Sequence, residues 1–308
     1  MNVLLSLLQK SPDYMQLLQA VEAKQAAAVS GLSQAPRSHV LAALHEHSGR
    51  PLVAVCQDDL AASRLASELG AFLGEQPPVL PSRELTLAGA IGVSRQWEQT
   101  RLRLLYALAQ GQVPVLVTSL DALLLRTMPR EILFSASVRL RCGAEYNVDD
   151  LVARLTRAGY TRSSLVEGVG QFALRGGILD VYSPACENPL RAEFFGDELD
   201  TMGYFDPITQ RRTENVEEAV LLPVAETEAH LHPQGTAGLC EDLRAIIARQ
   251  QRRKTPNQAL IDTLQKDCEA LENETLFASA DRYMALIYPE FTTAAAYLSQ
   301  EAVVVNSG

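Results

Sequence analysis

Apolar residues recur with two different periods along this chain, and the change from one to the other divides it. Over residues 13–28, 38–47, 58–73 and 95–110 they fall at helical spacing. Between these stretches lie short continuous apolar runs, PLVAVC (51–56), PPVL (77–80) and PVLVTS (114–119), each bounded by proline or glycine. Such runs are the pattern of strands buried on both faces of a parallel sheet. Asp58 or Asp59 can cap the helix after the first run, and Ser119 or Asp121 the helix after the third. The strand–helix alternation predicts a doubly wound α/β body over residues 1–136.

Near residue 137 the texture changes. A helix, VDDLVARLTRAGY, leads into alternating segments separated by glycine turns: GQFALRGGILDVYSP, PLRAEFFGDELDTMGYFD and a stretch through EEAVLLPV. Gly196-Asp197 between two alternating runs predicts a hairpin. Residues 141–225 hold 8 Arg, no Lys and 14 Asp plus Glu, so this part is acidic. It is expected to be a small α+β domain, 137–223, with an antiparallel sheet, inserted after the α/β half. Residues 224–308 return to mixed texture. Two helices, TAGLCEDLRAIIARQQRRK and NQALIDTLQKDCEALEN, are broken at Thr255-Pro256, and the chain ends on the strand-like AVVVNSG. This third segment is expected to pack back on the first. A closing apolar strand with little after it suggests a fragment of a longer chain.

Composition narrows the function. The chain has 308 residues, is 47% hydrophobic and carries a net charge of −10. That balance argues against wrapping nucleic acid, where phosphates must be neutralised by a basic surface. Five scattered cysteines form no C-x-x-C pair, as expected of a reduced, cytoplasmic protein. The N-terminus lacks the basic region and cleavage site of a signal peptide, and no apolar run is long enough to span a membrane.

Candidate chemistry is sparse. Residues 31–38, GLSQAPRS, resemble the phosphate-binding pattern G-x-x-x-x-G-K-[ST] at Gly31 and Ser38. Pro36 stands where the second glycine belongs and Arg37 where the lysine belongs. Proline has no N–H to aim at a phosphate, and a guanidinium is not a compact ammonium. A working nucleotide site is therefore not expected. His230 and His232 flank a leucine, but no third and fourth ligand accompany them. The acidic DELD (197–200) sits at a glycine turn rather than at the end of a buried α/β strand, so it is expected to be a solvated strand face. The basic run RQQRRK (249–254) is expected to be a solvated helix end. No cofactor, metal or catalytic group is expected.

Residues 190–195 are more informative. In a strand, Arg191, Glu193 and Phe195 share one face, and Leu190, Ala192 and Phe194 the other. Ala192 and Phe194 suit a core. The opposite face then carries an arginine, a carboxylate and a large aromatic, the composition of a binding hot spot. Equally, Phe195 can pack under a loop while Arg191 pairs with Glu193. Pattern alone leaves both open.

The run LRGGILDVYSP…LRAEFFGDELDTMGYFDPITQRR…VEEAVLLPVAE resembles the N-terminal module of the bacterial transcription-repair coupling factors, which is similar to the first part of the excision-repair protein UvrB. The likeness covers most of the chain and is weaker before residue 50. It implies a degenerate P-loop, RecA-like body interrupted by the small domain. It implies a non-catalytic adaptor that recruits UvrA to a stalled RNA polymerase, with Arg175, Arg191 and Phe195 in the contact and Glu193 and Asp197 beside it. UvrB has an intact phosphate loop and a tyrosine-rich DNA-gripping hairpin. Here GLSQAPRS and LPSRELTLAGAIGVSRQWE, with one Trp and no Tyr, stand in their places. Motor and RNA-polymerase-binding parts are expected beyond residue 308, with DNA contacted through them. The alternative implied by the same likeness is a divergent ATP-dependent, DNA-unwinding or DNA-binding enzyme of the UvrB type.

Overall fold

A computed structural model describes residues 3–82, 95–273 and 280–307. The fold is mixed α/β, with one parallel sheet and two sheets built mainly from antiparallel pairs. By packing, the chain falls into two compact units, Met1–Leu125 with Thr293–Gly308, and Arg126–Thr292. The textural divisions after residues 136 and 223 lie elsewhere. Texture follows the type of secondary structure, whereas this grouping follows which residues touch.

In the first unit four parallel strands lie in the order Val303–Asn306, Leu52–Cys56, Val115–Ser119, Val79–Leu80. Every residue of Leu52–Cys56 and Val115–Ser119 is buried, which is why those stretches show no polar alternation. Helices Pro12–Glu22, Gln34–Ser48 and Asp59–Leu73 supply Leu18, Leu41, Leu44, Leu65 and Leu69 to the same core. Of the capping candidates, Asp58 accepts from Ala61 N–H at 2.7 Å, and Ser119 Oγ from Ala122 N–H at 3.1 Å. Asp59 serves differently. Its carboxylate accepts from the N–H and the hydroxyl of Ser82 and from the Ser119 hydroxyl, at 2.5–2.8 Å, tying a helix start to the C-terminal ends of two adjacent strands.

The first helix ends at Glu22, earlier than its apolar period suggests, and residues 25–30 are irregular. The second begins four residues before its apolar stripe, at Gln34. The stretch 83–94, which covers most of the segment standing in place of the UvrB hairpin, lies outside the described residues.

The second unit is built around a six-stranded sheet. Its order is Arg212–Asn215, Glu198–Phe205, Leu190–Phe195, Ile178–Val181, Gln171–Arg175, Thr161–Arg162, antiparallel except for the last pair. One face carries Phe172, Leu179, Val181, Leu190, Ala192, Leu199 and Met202 into a core. Helix Val148–Arg157 covers that core with Leu151 and Leu155, and the two-stranded pair Val138–Arg141 with Glu218–Leu221 closes it. Asn147 caps this helix, Asp149 and Asp150 occupy its first turn, and Arg154 and Arg157 its last, matching the helix dipole at both ends. Helices Gly235–Gln251 and Gln258–Glu272 pack on each other, with Leu243 and Ile247 buried on one, Ile261 and Leu264 on the other, and the break at Thr255-Pro256 between them.

Candidate functional site

The face of the six-stranded sheet opposite the core is set by register. Arg175 lies opposite Ile178, and Ile178 opposite Glu193. Asp180 lies opposite Ala173 on one side and Arg191 on the other. Arg175, Ile178, Asp180, Arg191 and Glu193 therefore share one face. Phe195 joins them, paired with Glu198 across the hairpin, while Phe194 turns inward to the core and meets Tyr146 edge-on at 6.3 Å. The turn is Gly196-Asp197, as the sequence predicts, with Gly196 at φ +65°. Asp197 sits in that turn and its carbonyl accepts from Tyr146 N–H.

Two glycines shape the face. At Gly177 a Cβ would lie 2.6 Å from the Phe194 carbonyl oxygen, so the close approach of that turn to the neighbouring strand requires glycine. At Gly203 a Cβ would meet Arg212 Nε at 2.7 Å. The missing side chain lets Arg212 lie across the sheet and reach Glu193 at 3.3 Å.

Asp180 is the centre of the polar cluster. Its side chain is 1% exposed, and it accepts from Arg191 through both oxygens, Nε to Oδ1 at 2.6 Å and Nη2 to Oδ2 at 2.9 Å. Arg175 Nη2 donates to the same Oδ2 at 2.6 Å. Arg191 also stacks over Phe205, 4.6 Å from the ring centre, and its Nη1 lies 3.4 Å from the Gln210 carbonyl. The bonded carboxylate raises Arg191 above the ordinary guanidinium value. Phe205, Ala173 and Val166 form a small buried cluster under this arginine.

The two arginines are thus unequal. Arg191 is 21% exposed and Arg175 50%. Phe195 is 85% exposed, so it does not pack under a loop, and Glu193 pairs with Arg212 rather than with Arg191. Sequence reasoning missed Asp180, Arg212 and the part-exposed Ile178. A visible signal existed for the first: an aspartate inside the apolar run ILDV must be paired if that strand is buried.

The segment GLSQAPRS is partly loop and partly helix. Gly31 has φ +82°, Ser33 precedes the helix, and Pro36 and Arg37 lie in its first turn. Arg37 Nη1 lies 3.4 Å from the Ser307 carbonyl, and the buried Ser38 hydroxyl donates to the Glu68 carboxylate. A cavity of about 620 Å³ beside the loop is lined by Leu17, Val21, Leu41, Val303 and Val305 on one side and by Arg37, Asn306 and Ser307 on another.

The remaining candidates are occupied otherwise. His232 accepts from Gln234 N–H through Nδ1 and meets Asp242 through Nε2 at 3.2 Å, and burial lowers the His230 pKa. In DELD, Leu199 is buried while Asp197, Glu198 and Asp200 are exposed. Residues 251–254 of the basic run are exposed at the helix end. Among the described residues no helix is long and apolar enough to cross a membrane.

Comparison with known proteins agrees with this architecture. Residues 138–226 match the family described as the UvrB interaction domain. The chain is 38% identical over 221 residues to a transcription-repair-coupling factor of Myxococcus xanthus, covering 69% of this chain and 18% of that protein. It is 25% identical to the Bacillus subtilis protein of the same name over 94% of this chain and 25% of that protein, and 28% identical to one from Staphylococcus aureus over 99% and 26%. The chain therefore spans about a quarter or less of the length of these relatives. It belongs to the transcription-repair-coupling factors and corresponds to their N-terminal, UvrB-like module.

Proposed function

We propose that this module is a non-catalytic adaptor that recruits UvrA, in the cytoplasm, through the outer face of its six-stranded sheet. The observation that carries the proposal is Phe195, 85% exposed on the face that also presents Arg175 and Arg191. A large exposed aromatic sharing a sheet face with guanidinium groups has the composition of an interface hot spot. Glu193 and Asp197 border the contact. The parallel-sheet unit is a degenerate P-loop, RecA-like body that keeps the scaffold and not the phosphate chemistry. On this reading residues 137–223 serve as the binding lobe. RNA polymerase and DNA are engaged through other parts of the family's longer chains, as is ATP hydrolysis.

The test is calorimetric titration of the purified chain with UvrA, comparing the unaltered protein with Arg175→Ala and Phe195→Ala. Saturable binding that each variant weakens, with the melting temperature of Phe195→Ala unchanged, supports the reading. Full-strength binding by both variants removes the site, and no binding by the unaltered chain removes the function.

A further inference from the structure

A carboxylate with 1% of its side chain exposed is strongly disfavoured unless cations and hydrogen bonds compensate it. Asp180 has two cations, and it holds them differently. Arg191 is gripped through two nitrogens in the planar fork geometry, backed by the Phe205 ring, with its third nitrogen against the Gln210 carbonyl. Arg175 is attached by Nη2 alone and is half exposed. With one carboxylate between two guanidiniums, the group keeps one excess positive charge, and its exposed share sits on Arg175. The nearby Glu193 is paired with Arg212 and also acts on Arg191 through space, so the charge it leaves uncompensated lies toward Arg175. Beside Arg175 lie the part-exposed Ile178 and, farther along the face, Phe195.

We infer that Asp180 is the positioning residue of this face, locking Arg191 as a fixed floor and holding Arg175 out as the donor for a carboxylate on the partner. The inference rests on the UvrA-binding reading above and assigns its chemistry: an acidic group on the partner meets Arg175 while an apolar recess receives Phe195. Long arginine side chains lose rotamer freedom on binding, and a buried anchor removes part of that cost beforehand.

The test combines a spectroscopic and a binding measurement on the full chain. In the unaltered protein the Arg191 Nε–H should give a slowly exchanging nitrogen–proton resonance, because it is bonded to a buried oxygen, and the Arg175 Nε–H a fast one. Comparable exchange at the two sites would overturn the inference without any substitution. Asp180→Asn keeps the shape and one acceptor but removes the charge. It should abolish the slow Arg191 signal and weaken UvrA binding about tenfold or more. In an Arg175→Ala, Arg191→Lys background the same change should cost no more than about twofold, because its effect runs through those two side chains. Full-strength binding by Asp180→Asn, or an equal loss in both backgrounds, defeats the inference alone. Failure of the unaltered chain to bind UvrA defeats the adaptor reading and this inference together.

Discussion

Replacing Phe195 by alanine separates a binding surface from a structural one. The ring is 85% exposed, so truncation removes few contacts within the chain and should alter stability by no more than about 0.5 kcal/mol. On binding, the same ring has on the order of 150 Å² of apolar surface to bury, worth about 4 kcal/mol at 25 cal/mol per Å². Fixing the side chain and its counterpart costs about 1 kcal/mol or somewhat more. The net loss on truncation is then about 2–3 kcal/mol, roughly thirty- to 150-fold in affinity for UvrA. Phe194→Ala is the internal control. That ring faces the core and packs on Tyr146, so its loss should cost about 3 kcal/mol and lower the melting temperature by roughly 6–12 °C. The assay is calorimetric titration with UvrA beside thermal unfolding, on both variants. The reasoning is refuted if Phe195→Ala melts as early as Phe194→Ala, or if it stays folded and binds UvrA undiminished.

Other consequences are as direct. Pro36 offers no N–H, Arg37 is turned to the Ser307 carbonyl and the Ser38 hydroxyl is committed to Glu68, so calorimetry with Mg²⁺ and ATP should show no saturable heat at micromolar concentrations. Asp59→Ala should cost about 2–3 kcal/mol, because the Ser82 and Ser119 groups lose their acceptor. Asp58→Ala removes one cap bond and should cost about 1 kcal/mol; thermal unfolding should rank the two. Burial pushes the Tyr14 phenol up to about 12 in the folded protein, whereas the unfolded chain titrates near 10. Between these values the folded state holds the proton and the unfolded state releases it, so this contribution is complete below pH ~10 and is lost as pH rises through about 12. Tyr14→Phe should flatten the alkaline fall in stability measured by denaturant unfolding, and an unchanged slope would contradict the assignment.

Much of this molecule was legible in one dimension. The uninterrupted runs 51–56 and 114–119 became fully buried parallel strands, because a strand covered on both faces has no place for polar alternation. Strict alternation over 190–195 put Arg191, Glu193 and Phe195 on one face, because the pleat leaves no other choice. The glycine before Asp197 marked the hairpin for the same local reason. What lay beyond the sequence was every partner across strands. Along one strand, the pairing of Arg191 with Glu193 looked as good as any. In the sheet, Asp180 stands directly opposite Arg191, and directly opposed residues have Cβ atoms about 5 Å apart, closer than residues two apart on a strand. Arg212 reaches Glu193 across Gly203 only because two further strands fall into register. That register is set by burial of the opposite face, where Leu179, Ala192 and Met202 meet in the core. The sequence by itself determined which side chains face outward; packing on the hidden side decided which of them touch.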